Sequence, residues 1–471
     1  MPMYPVGEAS REALREQLRL FAFDTTLKPP PDILVRIQQE LTVREKLAIL
    51  LEGELDFHGR DSGYASHSLH AFAAKFPPQL PRVFIRGLTK PGDLVLDPMM
   101  GSGTAIVEAL LEGRRGLGLD IDPLAIRLSR VKTTPLVIDD MRNVGFKVLS
   151  QAHALMSDGN AIEQYLEGFD ERTKAFVDYW FLPKTQRELT ALVLVIQNVA
   201  DTSIRRFLEL AFSSIIVTKS GGVSMARDLA HTRPHLDKTK EPKDALERFL
   251  ARLQKNLRSM SEVVTNGTDI LSLAGDARSM PIAAGVVDLI VTSPPYANAI
   301  DYMRAHKFSL VWLGESIPAL SELRAQYIGS ERVGQVQYVA LPGRAEMTVR
   351  QVAERDSRKA AILRKYLAEM KSVIAEMYRV LRDDSVAIVV VGPSTMRGIR
   401  VQTHDCLADI ASSVGFEVVG VARRVLDRDK RMMPARFGKK GDSMIEQRMH
   451  EEYVIGLLKP EHSQGGHHAV S

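Results

Sequence analysis

Short apolar runs closed by an acidic residue recur along this chain. Leu94-Val95-Leu96 ends at Asp97, and a second run, Gly116 to Ile121, contains Asp120 near its end. Between them stand Gly101-Ser102-Gly103-Thr104 and a helical stretch, Ala105 to Leu111. Strand, glycine turn, helix and strand within ~30 residues make a βαβ unit, which predicts a parallel sheet. The period then changes. Apolar residues at three- and four-residue spacing predict helices over Glu171–Leu182, Lys184–Val199 and Ile204–Val217, inside an insertion running from about 135 to 265. Near residue 270 the α/β rhythm resumes: the run Val286 to Thr292 stops at Ser293-Pro294-Pro295-Tyr296. Ile362, Leu363, Leu367, Met370, Ile374, Met377 and Leu381 mark one face of a helix that feeds the strand Val386–Val391. A helix around 403–413 and strands around 417–422 and 453–458 complete the pattern. Residues 1–60 read as a slightly acidic helical extension interrupted by Lys28-Pro29-Pro30-Pro31, and 460–471 as an unstructured tail.

Composition narrows the class. The 471 residues exceed what one core usually organises, so a main domain with a second lobe is expected. With 45% hydrophobic and 25% charged residues, disorder, collagen and coiled coil are excluded. The single cysteine, Cys406, rules out an internal disulfide and a thiolate zinc site, and fits a reducing compartment. No metal site is expected. No apolar run reaches ~18 residues and the first residues are charged, so no membrane span or export is expected, and the protein is placed in the cytoplasm.

The net charge of +4 names no partner by itself, but it averages over local bias. Ten basic against five acidic residues lie between Lys219 and Arg258, and nine against four between Arg423 and Arg448.

Ligands of open parallel sheets bind beyond the carboxyl ends of the strands, where Asp97-Pro98-Met99-Met100-Gly101-Ser102-Gly103-Thr104 falls. Its glycines let a ligand approach the backbone. Asp97 is unwelcome beside a pyrophosphate and welcome beside an ammonium group. Asp120, ending the next strand, suits two ribose hydroxyls. A nucleoside carrying an ammonium group satisfies both acids, and S-adenosylmethionine is one. A nicotinamide dinucleotide enzyme would want a third glycine where Ile106 stands. In Ser293-Pro294-Pro295-Tyr296 two prolines end the strand and present carbonyls with no competing N–H. Such a turn suits an amino group that must be held as a nucleophile, with Tyr296 as a ring for a base to stack on.

Together the two motifs resemble the amino-methylating DNA methyltransferases, which act on cytosine N4 or adenine N6. The segment from Asp97 to Thr104 is similar to their cofactor loop, with Met99 where phenylalanine is usual. Gly118-Leu119-Asp120-Ile121-Asp122-Pro123 resembles the ribose-binding segment, and Gly275-Asp276-Ala277 the one whose acid approaches the adenine. His67 to Pro78, with Ala74-Lys75-Phe76-Pro77-Pro78, resembles the segment just before the loop that closes over the methionine end. Thr292 to Tyr296 resembles the catalytic motif, in the serine form commoner among N4-cytosine enzymes.

The resemblance implies a class I methyltransferase fold: an α/β, Rossmann-like, mostly parallel seven-stranded sheet with a helical insertion. It implies S-adenosylmethionine as cofactor, held by Lys75, Phe76, Pro77, Asp97, Pro98, Met99, Gly101, Ser102, Gly103, Thr104, Asp120, Ile121, Asp276 and Ala277. Ser293, Pro294, Pro295 and Tyr296 would carry catalysis on a flipped base. Residues 61–134 would be the cofactor half, 135–265 a target-recognition insertion, and 266–459 the catalytic half. Double-stranded DNA is the implied partner, with a cognate restriction or defence nuclease as a further candidate. Lys219, Arg227, Arg233, Arg431 and Arg436 are the candidate DNA contacts. Carbon-5 methylation needs a cysteine nucleophile, and Cys406 sits on a helix away from these turns. Adenine N6, an RNA base, and a non-catalytic DNA-binding subunit stay open as alternatives.

Overall fold

Parallel strands are covered by helices on both faces, so their sequences read as unbroken apolar runs. Four such runs and an edge strand form the parallel part of one seven-stranded sheet: β1 (Leu94–Asp97), β2 (Arg115–Asp120), β3 (Ile270–Ala274), β4 (Val287–Thr292) and β5 (Leu381–Val391). Of the remaining two, β6 (Glu417–Val425) points the same way as β5, and β7 (Glu451–Lys459), inserted between β5 and β6, runs antiparallel to both. The order is therefore β3-β2-β1-β4-β5-β7-β6. The computed structural model describes residues 8–24, 26, 31–157, 159–218, 222–227, 229, 234–261, 267–297, 301–330, 339–426 and 450–461.

This order positions the site. From β1 the chain moves outward to β2 and β3, then returns to lay β4 on the other side of β1. The connections leaving β1 and β4 thus diverge, and a crevice opens where their carboxyl ends meet. The glycine loop follows β1, and the Ser-Pro-Pro-Tyr turn follows β4. The resemblance anticipated this seven-stranded sheet.

One face of the sheet is covered by helices Gly343–Ala353, Ser357–Val380 and Thr403–Val414, whose Val349, Leu363, Met370 and Leu407 are buried with Ile290 and Val389. The other face carries Gln79–Leu88 and the N-terminal helices Glu8–Phe23, Pro31–Glu40 and Val43–Glu52. Leu14, Leu18, Ile37 and Leu47 share a core with Val95, Leu289 and Val386. The N-terminal segment, an extension when read from sequence, is thus a layer of the main core; without it that sheet face would meet water. A capping box in which Thr42 and Glu45 bond each other's backbone starts the helix Val43–Glu52.

The insertion is helical, as its period predicts, and includes Ile138–Leu155, Gly159–Glu167, Glu171–Trp180, Pro183–Gln197, Thr202–Ile216 and Ala245–Met260. Its core is continuous with the sheet domain. Phe181 meets Trp312 edge-on at 5.3 Å, and Leu192 and Phe212 share a cluster with Leu124, Leu128 and Phe308. Cys406 is buried in Thr403–Val414. No helix among the described residues is long and apolar enough to cross a membrane. No group of His, Cys, Asp or Glu among them is arranged to hold a metal. Of the 460–471 tail, only Pro460 and Glu461 lie within the described residues.

Candidate active site

The loop after β1 is held from several sides. Gly101 and Gly103 take φ of 46° and 75°, left-handed values that glycine alone adopts without strain. At Gly103 a Cβ would also stand 2.5 Å from Ser129 Oγ and 3.2 Å from Ser129 Cα. The Gly101 amide donates to Asp120 Oδ2 at 2.8 Å, so the acid ending β2 also clamps the turn after β1. From beneath, the buried Lys132 amine donates to the Ser102 carbonyl at 2.7 Å.

Asp97 sits at the seam of the two halves. It is 2% exposed and accepts from the Thr292 hydroxyl at 2.7 Å and the Met99 amide at 3.2 Å. The last residue of β4 therefore bonds the last residue of β1, which ties the Ser-Pro-Pro-Tyr turn to the glycine loop. Burial pushes the Asp97 carboxyl up to about 7 against those two hydrogen bonds, with nearby Asp120 adding to the rise. Asp120 is lifted to about 6 by burial and by its neighbour Asp122, against the amides of Asp122 and Gly101. Burial would lift Asp122 too, but the His306 ring, 2.6 Å away, outweighs it and holds Asp122 below the usual carboxylate range. Asp122 also caps helix Pro123–Thr133 through the amides of Leu124 and Ala125.

These residues line one pocket of about 890 Å³, counted to its open mouth. Lys75, Phe76, Asp97, Pro98, Met99, Gly101, Ser102, Thr104, Asp120, Ile121, Asp276 and Ala277 all face it, together with Ser293 and Pro295 from the other motif. Pro77, Gly103 and Pro294 do not line it. Neither does Tyr296, which is 7% exposed, packs against Gly392 and donates its hydroxyl to Glu452 Oε1 at 2.7 Å. Glu452 is held in turn by Arg424, which also donates to the Leu55 carbonyl. Asp276 is in a two-pronged pair with Arg278, which reaches on to Glu369. Arg227 is exposed. Lys219, Arg233, Arg431 and Arg436 lie outside the described residues.

Tyr302, a candidate for the pocket wall from its place shortly after Tyr296, lines it and stacks on Phe72 of the His67–Pro78 segment with ring centroids 5.4 Å apart. Sequence reading passed over Gln326, Tyr327 and Ile328, which close another wall. They lie at and just past the end of helix Ile317–Gln326, which no motif marks. A polar cluster behind the pocket was also missed. Glu108, fully buried on the helix after the glycine loop, accepts from Tyr64, His67 and Arg82 at 2.8, 2.6 and 2.5 Å. Burial would raise Glu108, but its hydrogen bond and charge contact with His67, then Arg82 and Tyr64, carry it below the ordinary value. The His67 carbonyl in turn accepts from Lys75 Nζ at 2.8 Å, which connects the cluster to the pocket wall.

The donor set selects a cation. Lys75 is the one basic residue in the described lining, against four carboxylates of which Asp276 and Asp122 already have partners. Asp97 and Asp120 are carboxyls drawn out of water, and burial and a neighbouring acid both oppose their ionised forms. A ligand carrying positive charge would relieve that cost.

Type II methyltransferase M.MvaI of Kocuria varians is 24% identical over 388 residues, covering 76% of this chain and 83% of its own. Type II methyltransferase M.MjaII of Methanocaldococcus jannaschii is 22% identical over 383 residues, covering 63% of this chain and 72% of its own. Among solved structures, a TehB-like SAM-dependent methyltransferase from Corynebacterium glutamicum overlaps 80% of this chain and 85% of its own, at 11% identity and a TM-score of 0.26. A family model described as DNA methylase matches residues 52–130 and 287–448, the segments that carry both motifs. With over half of its length matched by that model, the chain belongs to the DNA methylase family, the methyltransferases that modify exocyclic amino groups of DNA bases.

Proposed function

We propose that the protein transfers a methyl group from S-adenosylmethionine to the N4 amino group of a cytosine flipped out of duplex DNA. The observation that carries this reading is the single pocket lined by Asp97 and Asp120 on one side and by Ser293 and Pro295 on the other. S-adenosylmethionine supplies a methyl group made electrophilic by a positively charged sulfur. Asp97 holds its ammonium end, Asp120 its ribose hydroxyls, and Asp276 with Ala277 its adenine edge. Ser293 and the Pro294 carbonyl accept from the target amine, orient it, and offset the positive charge that it gains before a proton leaves. A base still paired in the duplex cannot reach this turn, and Tyr296, packed against Gly392 and held by Glu452, offers its ring to a flipped base only after shifting from that packing. The serine in the catalytic motif supports cytosine over adenine by its resemblance to N4-cytosine enzymes.

The helical insertion, 135–265, is the segment we assign to target recognition, with the exposed Arg227 among its DNA contacts. Lys219 and Arg233 of the insertion, and Arg431 and Arg436 of the catalytic half, complete the proposed set. The test is transfer of labelled methyl from S-adenosylmethionine to duplex DNA. Wild type should transfer it, and Ser293→Ala should be slower by about 10²-fold with cofactor affinity kept. No transfer by wild type to any duplex would overturn the proposal.

The two raised carboxyls give a pH dependence with a definite sign. Asp97 is largely protonated below about 7 and Asp120 below about 6, and only the ionised forms attract a cation. Affinity for S-adenosylmethionine should therefore rise about tenfold from pH 6 to pH 8. Binding near pH 7 should release a proton, read by calorimetry in buffers of different ionisation enthalpy. For the free protein the sign is opposite. Its folded-state pKa values lie above the usual 3.8, so stability falls as pH rises from about 4 towards 7.

A further inference from the structure

A second concave site lies on the far side of the β2–β3 edge. It is an open cleft of about 1050 Å³ between helix Pro123–Thr133, from the cofactor half, and helix Thr202–Ile216, from the insertion. Arg127, Arg130, Arg205 and Arg206 line it, with Glu209 as the one acid. Glu209 is taken up by an ion pair with Arg127. Arg130 donates to the Ser272 carbonyl at 3.0 Å and Arg205 to the Val199 carbonyl at 3.4 Å, contacts that leave their charge unbalanced. No hydrogen bond or ion pair among the described residues engages Arg206. All four guanidiniums are half-buried. Arginines held this close repel one another, and Arg130 is depressed by burial and then by Arg206 and Arg127. A surface arginine has no need of such company, so the arrangement is built for an anion that takes several planar donors.

We infer that this cleft binds a backbone phosphate of the DNA strand beside the target base. Its place fits that ligand. Ala274 and Pro123, at the carboxyl ends of β3 and just past β2, line the cleft, while their neighbours Gly275 and Asp122 line the cofactor pocket. Three strand spacings separate β3 from β4, which bears the catalytic turn. At about 4.8 Å each they span roughly 15 Å, or four to five base pairs at about 3.4 Å per pair. A duplex with its flipped base at Ser293 therefore passes within reach of the cleft. Because one wall belongs to the insertion and the other to the cofactor half, a phosphate held here would also brace the two against each other. The inference rests on the reading of the chain as acting on duplex DNA.

The test compares wild type with Arg206→Ala, Arg206→Lys and the double variant Arg205→Ala/Arg206→Ala. Duplex affinity is read by fluorescence anisotropy across a salt series. Neutralising one phosphate contact should lower the slope of log K against log salt by about one and weaken binding on every sequence alike. Arg206→Lys should retain most of the slope. S-adenosylmethionine binding by calorimetry should be unchanged in all three, which shows that the fold and the cofactor pocket are intact. If the variants bind duplex with wild-type affinity and slope, the inference is overturned. It is equally overturned if they lose a thermal shift with inorganic phosphate and yet bind DNA as wild type does, since the cleft would then serve free phosphate. A wild-type protein that bound no duplex would overturn the function proposed above as well as this inference.

Discussion

Asp97→Asn should weaken S-adenosylmethionine binding by roughly 30- to 4,000-fold, the span given by losing one member of a desolvated charge pair at 2–5 kcal/mol. The same substitution should leave the free protein at least as stable as wild type. Both expectations follow from one fact: Asp97 is 2% exposed, and burial lifts its carboxyl to about 7. In the free protein its charge is a cost, and the asparagine oxygen still accepts from the Thr292 hydroxyl and the Met99 amide. In the complex that charge becomes the attraction. A structural acid would show the reverse, with stability lost and affinity spared. Calorimetry and urea denaturation on the same preparation separate the two, and the rise in affinity between pH 6 and 8 should be much reduced in the variant.

Glu108→Gln should cost about 3–5 kcal/mol of stability, because an amide cannot balance the guanidinium of Arg82 in a buried site. Glu108 is completely buried, and it accepts from Tyr64, His67 and Arg82 at once. Arg82 keeps a longer contact with Glu112 at 3.3 Å, which limits the loss without cancelling it. The effect should reach the cofactor site, since the His67 carbonyl accepts from Lys75 in the pocket wall. A shift of the urea midpoint equivalent to less than 1 kcal/mol would show that the cluster is not a keystone of this region.

What could be read from the chain was whatever repeats at short range or forms a contiguous motif. The alternation from Leu94 to Ile121 located β1, the turn, the helix and β2 within a residue or two, because a buried parallel strand has to be an apolar run. The edge strand β3 left no comparable trace: its Leu271 is exposed, and Ser272 interrupts the run. The pocket-lining residues around the glycine loop were legible because the glycines and acids sit together in sequence. Glu108 and its partners were not, since Tyr64, His67, Arg82 and Glu108 are scattered over 45 positions and meet only in the fold. The same holds for Glu452, which orients Tyr296 from 156 residues away. The arginine cleft was hidden for another reason. Its four members lie on two helices in pairs, and neither pair stands out in a chain with 62 basic residues.

Duplex DNA containing all four bases, incubated with the protein and S-adenosylmethionine, digested to nucleosides and resolved by mass spectrometry, reads the modified atom directly. Ser293-Pro294-Pro295-Tyr296 beside the Asp97 pocket should yield N4-methylcytosine as the sole new nucleoside. N6-methyladenine in its place, or an unmodified digest, would contradict that result.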